Sequence, residues 1–287
     1  MELARSVVPP EAAHTHTVIF LHGRGGTAQE LAERLLMLKD SSRRSLADMF
    51  PSVRWVFPQA ELLFCEQDNQ DWSQWFDVWN TLDYTDREEV QAPGLRQSVE
   101  AIIRLVHQEA YKVGGLDKIV LAGFSQGGST AMHVLLNLPS WNGSNPDDDV
   151  TPSEPPKVQR LAGLMGFSCR MPFPGGTLAE TREVLALETE PSDEILRNTP
   201  VFLAHCADDP VTFVEYGRQL ANTLESFGVQ GISREYPEGG HRVQVPQGID
   251  DIVIFLEAQG LEACTLSRHP PTGTIWDRVL DVSGRLR

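Results

Sequence analysis

Short runs rich in β-branched and aromatic residues alternate with longer stretches of 3.6-residue periodicity along most of this chain, and no other feature restricts its fold as much. The strand candidates are Thr17 to His22, Val53 to Phe57, Asp117 to Ala122, Leu161 to Gly166, Val201 to His205 and Ile232 to Tyr236. Strands separated by helix-sized segments must be joined by crossovers, and crossovers make neighbouring strands parallel. The clearest helix runs from Leu95 to Ala110, where Leu95, Val99, Ile102, Ile103, Val106 and Ala110 share one face. Gly114-Gly115 ends it. Ala28 to Leu38, Ser129 to Leu138, Phe213 to Phe227 and Ile249 to Ala258 are the other expected helices. The fold class that follows is α/β, a mostly parallel central sheet with helices on both faces.

Two stretches break the rhythm. Ser140 to Pro156 combines Asn-Gly, Asn-Pro, three aspartates and Pro155-Pro156, which suits a surface insertion at about 140–157. The segment of about 262–287 is an extension whose Trp276, Val279, Leu280 and Val282 could form a short docked helix. No internal repeat appears, so a single domain, 1–287 with its core at about 17–260, is the simplest division.

Composition removes several classes of function. Lys and Arg number 24 against 40 Asp and Glu, a formal charge of −16, which opposes binding to nucleic acid or to anionic lipid. Apolar runs are strand-sized, so integral membrane association is not expected, and the first residues lack a secretory pattern. The four cysteines are widely spaced, with no Cys-x-x-Cys, and are read as reduced thiols of a cytoplasmic protein. No metal-ligand set and no phosphate-binding loop of the Walker type is visible, so neither a metal nor a cofactor is expected.

The chemistry concentrates at Gly123-Phe124-Ser125-Gln126-Gly127, between the apolar run Ile119-Val120-Leu121-Ala122 and an amphipathic helix. Flanking glycines permit the tight, strained turn that lifts a serine hydroxyl above a sheet edge, making Ser125 a candidate nucleophile. Such a hydroxyl needs a base, and the base needs a carboxylate. In sheets of this kind the order is Ser, then acid, then His. Asp208 and Asp209 follow the fifth strand candidate, and His241 follows the sixth in Glu238-Gly239-Gly240-His241. Oxyanion donors are expected from the backbone N–H groups of Gln126, at a helix start, and of Arg24, in the loop His22-Gly23-Arg24-Gly25-Gly26.

Two features admit other readings. Gly23-x-Gly25-x-x-Ala28 matches a dinucleotide fingerprint, which would imply an oxidoreductase, but the next strand candidate ends in Pro58-Gln59 rather than an acid. Trp72, Trp75 and Trp79 have helical spacing and could be a core-facing stripe, whereas the wider cluster with Leu63 and Phe76 could form an apolar wall for an acyl chain.

Taken with these residues, the chain resembles the phospholipase/carboxylesterase family of α/β-hydrolases, which includes acyl-protein thioesterases. The markers are Phe20-Leu21-His22-Gly23, Gln74-Trp75-Phe76-Asp77, Gly123 to Gly128, Leu161-Ala162-Gly163 leading to Ser168-Cys169, His205 through Asp209-Pro210-Val211, and Gly240-His241. The resemblance implies an α/β-hydrolase fold and a serine carboxylesterase or thioesterase without a cofactor. Its sites would be Ser125, Asp209 and His241 for catalysis, Arg24 and Gln126 for the oxyanion hole, and Trp75, Phe76 and Leu63 beside the substrate. Implied partners are a small-molecule or acylated-protein substrate and, by family habit, a second copy in a homodimer. Departures from the family are Arg24 and Gly26 in a loop that often reads Leu-His-Gly-Leu-Gly-Asp, and Cys206 in place of a glycine. They leave room for a specialised esterase or acyl-transferring enzyme acting on a small secondary metabolite, or for a ligand-binding homologue without turnover.

Overall fold

The computed structural model describes residues 3–148, 156–264 and 280–281. In chain order the elements are β1 (Arg5–Val8), β2 (His16–Leu21), α1 (Ala28–Met37), α2 (Leu46–Met49), β3 (Val53–Pro58), β4 (Leu62–Cys65), β5 (Gln70–Ser73) and α3 (Gln91–Val113). They continue with β6 (Ile119–Phe124), α4 (Gln126–Asn137), β7 (Gly163–Phe167), α5 (Leu178–Glu183), α6 (Asp193–Asn198), β8 (Val201–Cys206), α7 (Val214–Ser226), β9 (Gly231–Tyr236), α8 (Gln247–Ala258) and β10 (Leu280–Asp281). The main sheet has the order β10-β1-β3-β2-β6-β7-β8-β9. From β3 to β9 every neighbouring pair is parallel, while β1 lies antiparallel to β3 and to β10. The mostly parallel α/β sheet expected from the sequence is the one observed.

Burial on both faces explains why the central strands read as continuous apolar runs rather than as alternating ones. Along β2, Ile19 and Leu21 join the core under α3, α4, α6 and α7, whereas Val18 and Phe20 join the core under α1, α2 and α8. In β6, Leu121 belongs to the first core, with Val120 and Ala122 in the second. Local chemistry marks the helix ends. Thr27 caps α1 by accepting from the Glu30 N–H at 3.1 Å, and Gly114, with φ +86°, closes α3 in the left-handed conformation that glycine tolerates.

Several expectations are corrected. The tryptophans at helical spacing are not on a helix, since Trp72 lies on the β4–β5 hairpin and Trp75 and Trp79 follow it in irregular chain. The hairpin escaped notice because its strands, Leu62–Cys65 and Gln70–Ser73, are short and without apolar alternation. In the insertion, Asp147 is exposed but not isolated. It pairs with Arg104, accepts from Gln108 Nε2 at 2.6 Å and so ties the loop to α3, while Trp141 is buried beside it. At the other end of the chain, Leu280 and Asp281 form a strand on β1 instead of helix, while Trp276, Val279 and Val282 lie outside the described residues.

Two glycines make the turn around Ser125 possible. A Cβ on Gly123 would come within 2.3 Å of the Gly127 carbonyl, and one on Gly127 within 2.4 Å of the His22 carbonyl oxygen. Both obstacles are backbone, so neither can yield cheaply. Gly127→Ala is expected to lower the unfolding free energy by about 1–3 kcal/mol in urea titrations, as overpacking does. Unchanged stability would show that the two chains have room to part.

Candidate active site

Ser125 stands between β6 and α4 with φ +55° and ψ −124°, a backbone conformation that a non-glycine residue adopts only under strain. Its N–H donates to the Phe167 carbonyl at 2.8 Å, which ties the turn to the end of β7. Asp209 follows β8 and His241 follows β9, so the site draws on the carboxyl ends of successive parallel strands. His241 Nε2 lies 2.9 Å from Ser125 Oγ, and Nδ1 lies 2.8 Å from Asp209 Oδ2. A carboxylate can only accept, so Nδ1 carries the proton and Nε2 is left to accept from the hydroxyl. The Phe124 ring packs against the imidazole at 4.8 Å between centroids.

Asp209 is buried and fully engaged. Oδ1 accepts from the N–H groups of Val211 at 2.9 Å and Thr212 at 3.0 Å. Oδ2 faces His205 Nε2 at 3.5 Å in addition to His241. Burial pushes this carboxyl towards the neutral form, but the hydrogen bonds from His205, His241 and the Val211 N–H outweigh it and hold the group far below the usual carboxylate range. His205 also donates from Nε2 to the Thr212 carbonyl at 2.7 Å. Sequence reasoning missed this second histidine, which reads there only as a strand end. The neighbouring Asp208 has a different task, accepting from the Gly240 N–H at 2.8 Å and bracing the loop that carries His241.

On the other side of Ser125, Gln126 opens α4, where an amide has no carbonyl one turn back. The turn after β2 bonds Gly25 N–H to Ser73 O at 2.7 Å and Gly26 N–H to Gly23 O at 3.1 Å, and among the described residues the Arg24 amide has no backbone acceptor. Gly23 packs on Phe124 and Ser125, a role unrelated to a dinucleotide. The Gln126 side chain was also missed. Its Oε1 accepts from Trp75 N–H at 2.9 Å, and its Nε2 donates to Phe76 O at 2.8 Å.

The expected apolar wall is not found as drawn. Trp75 and Phe76 are each only 1% exposed and belong to the core, with Trp75 Nε1 donating to His22 O at 2.8 Å. They pin the β2 turn from behind. Leu63 is half-buried on the hairpin, between the exposed Leu62 and Phe64. The Arg24 guanidinium is engaged by neighbours within the chain. It donates to Gln74 Oε1 at 2.8 Å and Asp68 Oδ2 at 2.9 Å, and lies 4.7 Å from the centre of the Trp72 ring, so it fastens the hairpin to the turn.

This sheet, with hydroxyl, imidazole and carboxylate in register at its carboxyl edge, defines the α/β-hydrolase class. A family model described as phospholipase/carboxylesterase matches residues 3–143. An acyl-protein thioesterase 1 from Gibberella zeae is 28% identical over 261 residues, covering 90% of this chain and 96% of the relative. One from Cryptococcus neoformans is 25% identical over 264 residues, covering 87% and 94%. Among solved structures, acyl-protein thioesterase 2 of Zea mays superimposes with a TM-score of 0.67 at 22% identity, covering 89% of this chain and 98% of that one. These matches support the phospholipase/carboxylesterase family for this chain, and the chain is a hydrolase. Among the described residues no helix is long and apolar enough to cross a membrane, and no cluster of His, Cys, Asp and Glu is arranged to hold a metal.

The depressed Asp209 carboxyl links folding to pH. A group whose native pKa lies below its unfolded value contributes in full above the unfolded value, about 3.9, and loses that contribution as pH falls towards the native one. Asp209→Asn is therefore expected to lose less stability than wild type between pH 6 and pH 3 in denaturant titrations. Parallel losses in the two proteins would overturn the account of how the carboxyl is held.

Proposed function

We propose that the chain is a serine hydrolase that cleaves carboxylic acyl esters or thioesters through an acyl-enzyme. The observation that carries this reading is the imidazole of His241 standing between Ser125 Oγ at 2.9 Å and Asp209 Oδ2 at 2.8 Å. In the first half-reaction Ser125 Oγ attacks the acyl carbon while His241 Nε2 takes the hydroxyl proton. Asp209, ionised, stabilises the imidazolium and keeps its ring oriented. Negative charge gathers on the former carbonyl oxygen, and the amides of Arg24 and Gln126 accept that charge without reorganising. His241 returns the proton to the departing alcohol or thiol. Water repeats the sequence on the acyl-enzyme, giving the free acid and restoring Ser125.

The relatives named acyl-protein thioesterase favour acylated substrates. The tether between Arg24 and Asp68 supports a hairpin held over the turn that supplies one oxyanion donor. Trp75 and Phe76 act here as supports of that turn, not as contact surface for the acyl chain.

A fluorophosphonate probe tests the reading directly. Folded wild type is expected to be labelled at neutral pH, Ser125→Ala is expected to lose the adduct completely, and a folded wild type that resists the probe would overturn the proposal. Asp209→Asn is expected to lower kcat for a 4-nitrophenyl ester by up to about 10⁴-fold. A loss of less than about tenfold would remove Asp209 from the relay.

A further inference from the structure

A second arginine near the site is held quite differently from Arg24. Arg170 follows β7 by three residues, and β7 ends at Phe167, whose carbonyl receives the Ser125 N–H. Three residues of chain reach at most about 10 Å, so the Arg170 backbone stays at the same carboxyl edge as the serine. The side chain is only 6% exposed. Burial draws its pKa down to about 10, and the group remains a cation at neutral pH. A guanidinium offers five N–H donors in a planar fork. Here one donates to Gln91 Oε1, a neutral acceptor, and the Tyr84 ring covers the face of the fork at 4.1 Å. Ring contact satisfies none of the donors that point outward in the plane.

No carboxylate among the described residues lies within ion-pair distance of this cation. Glu88 acts on it only from further away, because its Oε1 accepts from the Phe173 N–H at 3.0 Å. The covering Tyr84 meets Tyr216 edge-on at 5.4 Å, just inside α7 and beyond the Asp209 turn. Gln91 Nε2 in turn holds the Tyr84 carbonyl at 3.0 Å. The cation thus lies under the Tyr84 ring, which itself rests against Tyr216 in the first turn of α7. A buried charge without a counterion is unfavourable unless something completes it. A planar fork with free in-plane donors is shaped for a carboxylate.

Resting on the hydrolase reading above, we propose that Arg170 receives a carboxylate carried by the substrate's acyl chain, so that the chain hydrolyses half-esters or half-thioesters of dicarboxylic acids. A protein with a net charge of −16 repels such substrates at long range, and a local cation at the site is what admits them.

The test compares kcat/KM of the full-length chain for mono-4-nitrophenyl adipate and 4-nitrophenyl hexanoate, equal in chain length and differing by a carboxylate in place of a methyl. Wild type is expected to favour the adipate. Arg170→Met is expected to lower the adipate-to-hexanoate ratio about 10- to 100-fold, chiefly through KM, as loss of a charge-assisted hydrogen bond does. Arg170→Lys, which keeps the charge without the fork, should recover part of it. A ratio that Arg170→Met leaves within about twofold of wild type overturns the inference. Should that variant fail to fold, wild type alone decides. Free adipate must then inhibit hexanoate hydrolysis competitively at concentrations where adipamide does not, and equal inhibition by the two overturns the inference. Turnover of the hexanoate without any such discrimination removes this inference alone, whereas a wild type inert to both esters removes the hydrolase reading with it.

Discussion

Everything at the carboxyl edge depends on how closely the start of α4 can approach the end of β2. The two strands beneath, β2 and β6, pair in parallel with Leu21 opposite Gly123, so the chain leaves both at the same level. From there β2 enters the turn His22 to Gly26 and β6 enters the turn at Ser125. Backbone meets backbone where Gly127 faces the Leu21 and His22 carbonyls. That contact sets the turn after β2 and the start of α4, chain segments about a hundred residues apart, against one another. The strain at Ser125 is sustained because packing on both sides leaves the turn no alternative. A site assembled from rigid strand ends in this way keeps its geometry better than one built on free loops.

The same economy of support appears behind the site. His22 accepts from the Ala60 N–H at Nε2 and donates from Nδ1 to the Gly23 carbonyl at 2.8 Å, so the ring braces the turn from inside. Burial lowers its pKa and keeps it neutral, as both contacts require. Trp75 bonds to the His22 carbonyl, and its own N–H goes to Gln126. Turn, segment and helix start are therefore fastened to one another through buried polar groups that are all satisfied. Small displacements of the turn that carries Arg24 are resisted by this network.

Features with a strong one-dimensional signature could be read before any coordinates. The parallel strands announced themselves through β-branched runs, the α3 terminus through Gly114, and the Ser125 turn through glycines placed between a strand and a helix. The order Ser125, Asp209, His241 was legible because each follows a strand. What stayed hidden depends on long-range pairing. Nothing local distinguishes His205 from an ordinary strand residue, yet it helps hold Asp209. The β4–β5 hairpin escaped because Leu62, Leu63 and Phe64 are consecutive apolar residues, and half of that surface remains exposed rather than alternating in and out. Trp75 suggested a wall by type, but its neighbours in space, His22 and Gln126, made it a strut.

The two arginines near the site show how charge is allocated in an acidic protein. Arg24 has a carboxylate in Asp68, an amide oxygen in Gln74 and a ring face in Trp72, so its charge is answered within the chain and its role is mechanical. Arg170 has the ring face and the amide oxygen but, among the described residues, no carboxylate. Since the two guanidiniums share the same kinds of neighbour, the missing anion is the difference that requires an explanation. Acidic side chains are not scarce in a sequence with 40 of them. Filling the position with one would neutralise the cation and leave a purely structural pair, as at Arg24. On the proposal that Arg170 takes a substrate carboxylate, leaving it open keeps a positive charge in the segment that follows β7. On that proposal the two ends of one small molecule engage the reacting carbonyl and this cation, and binding energy gathered at the remote end positions the bond that breaks.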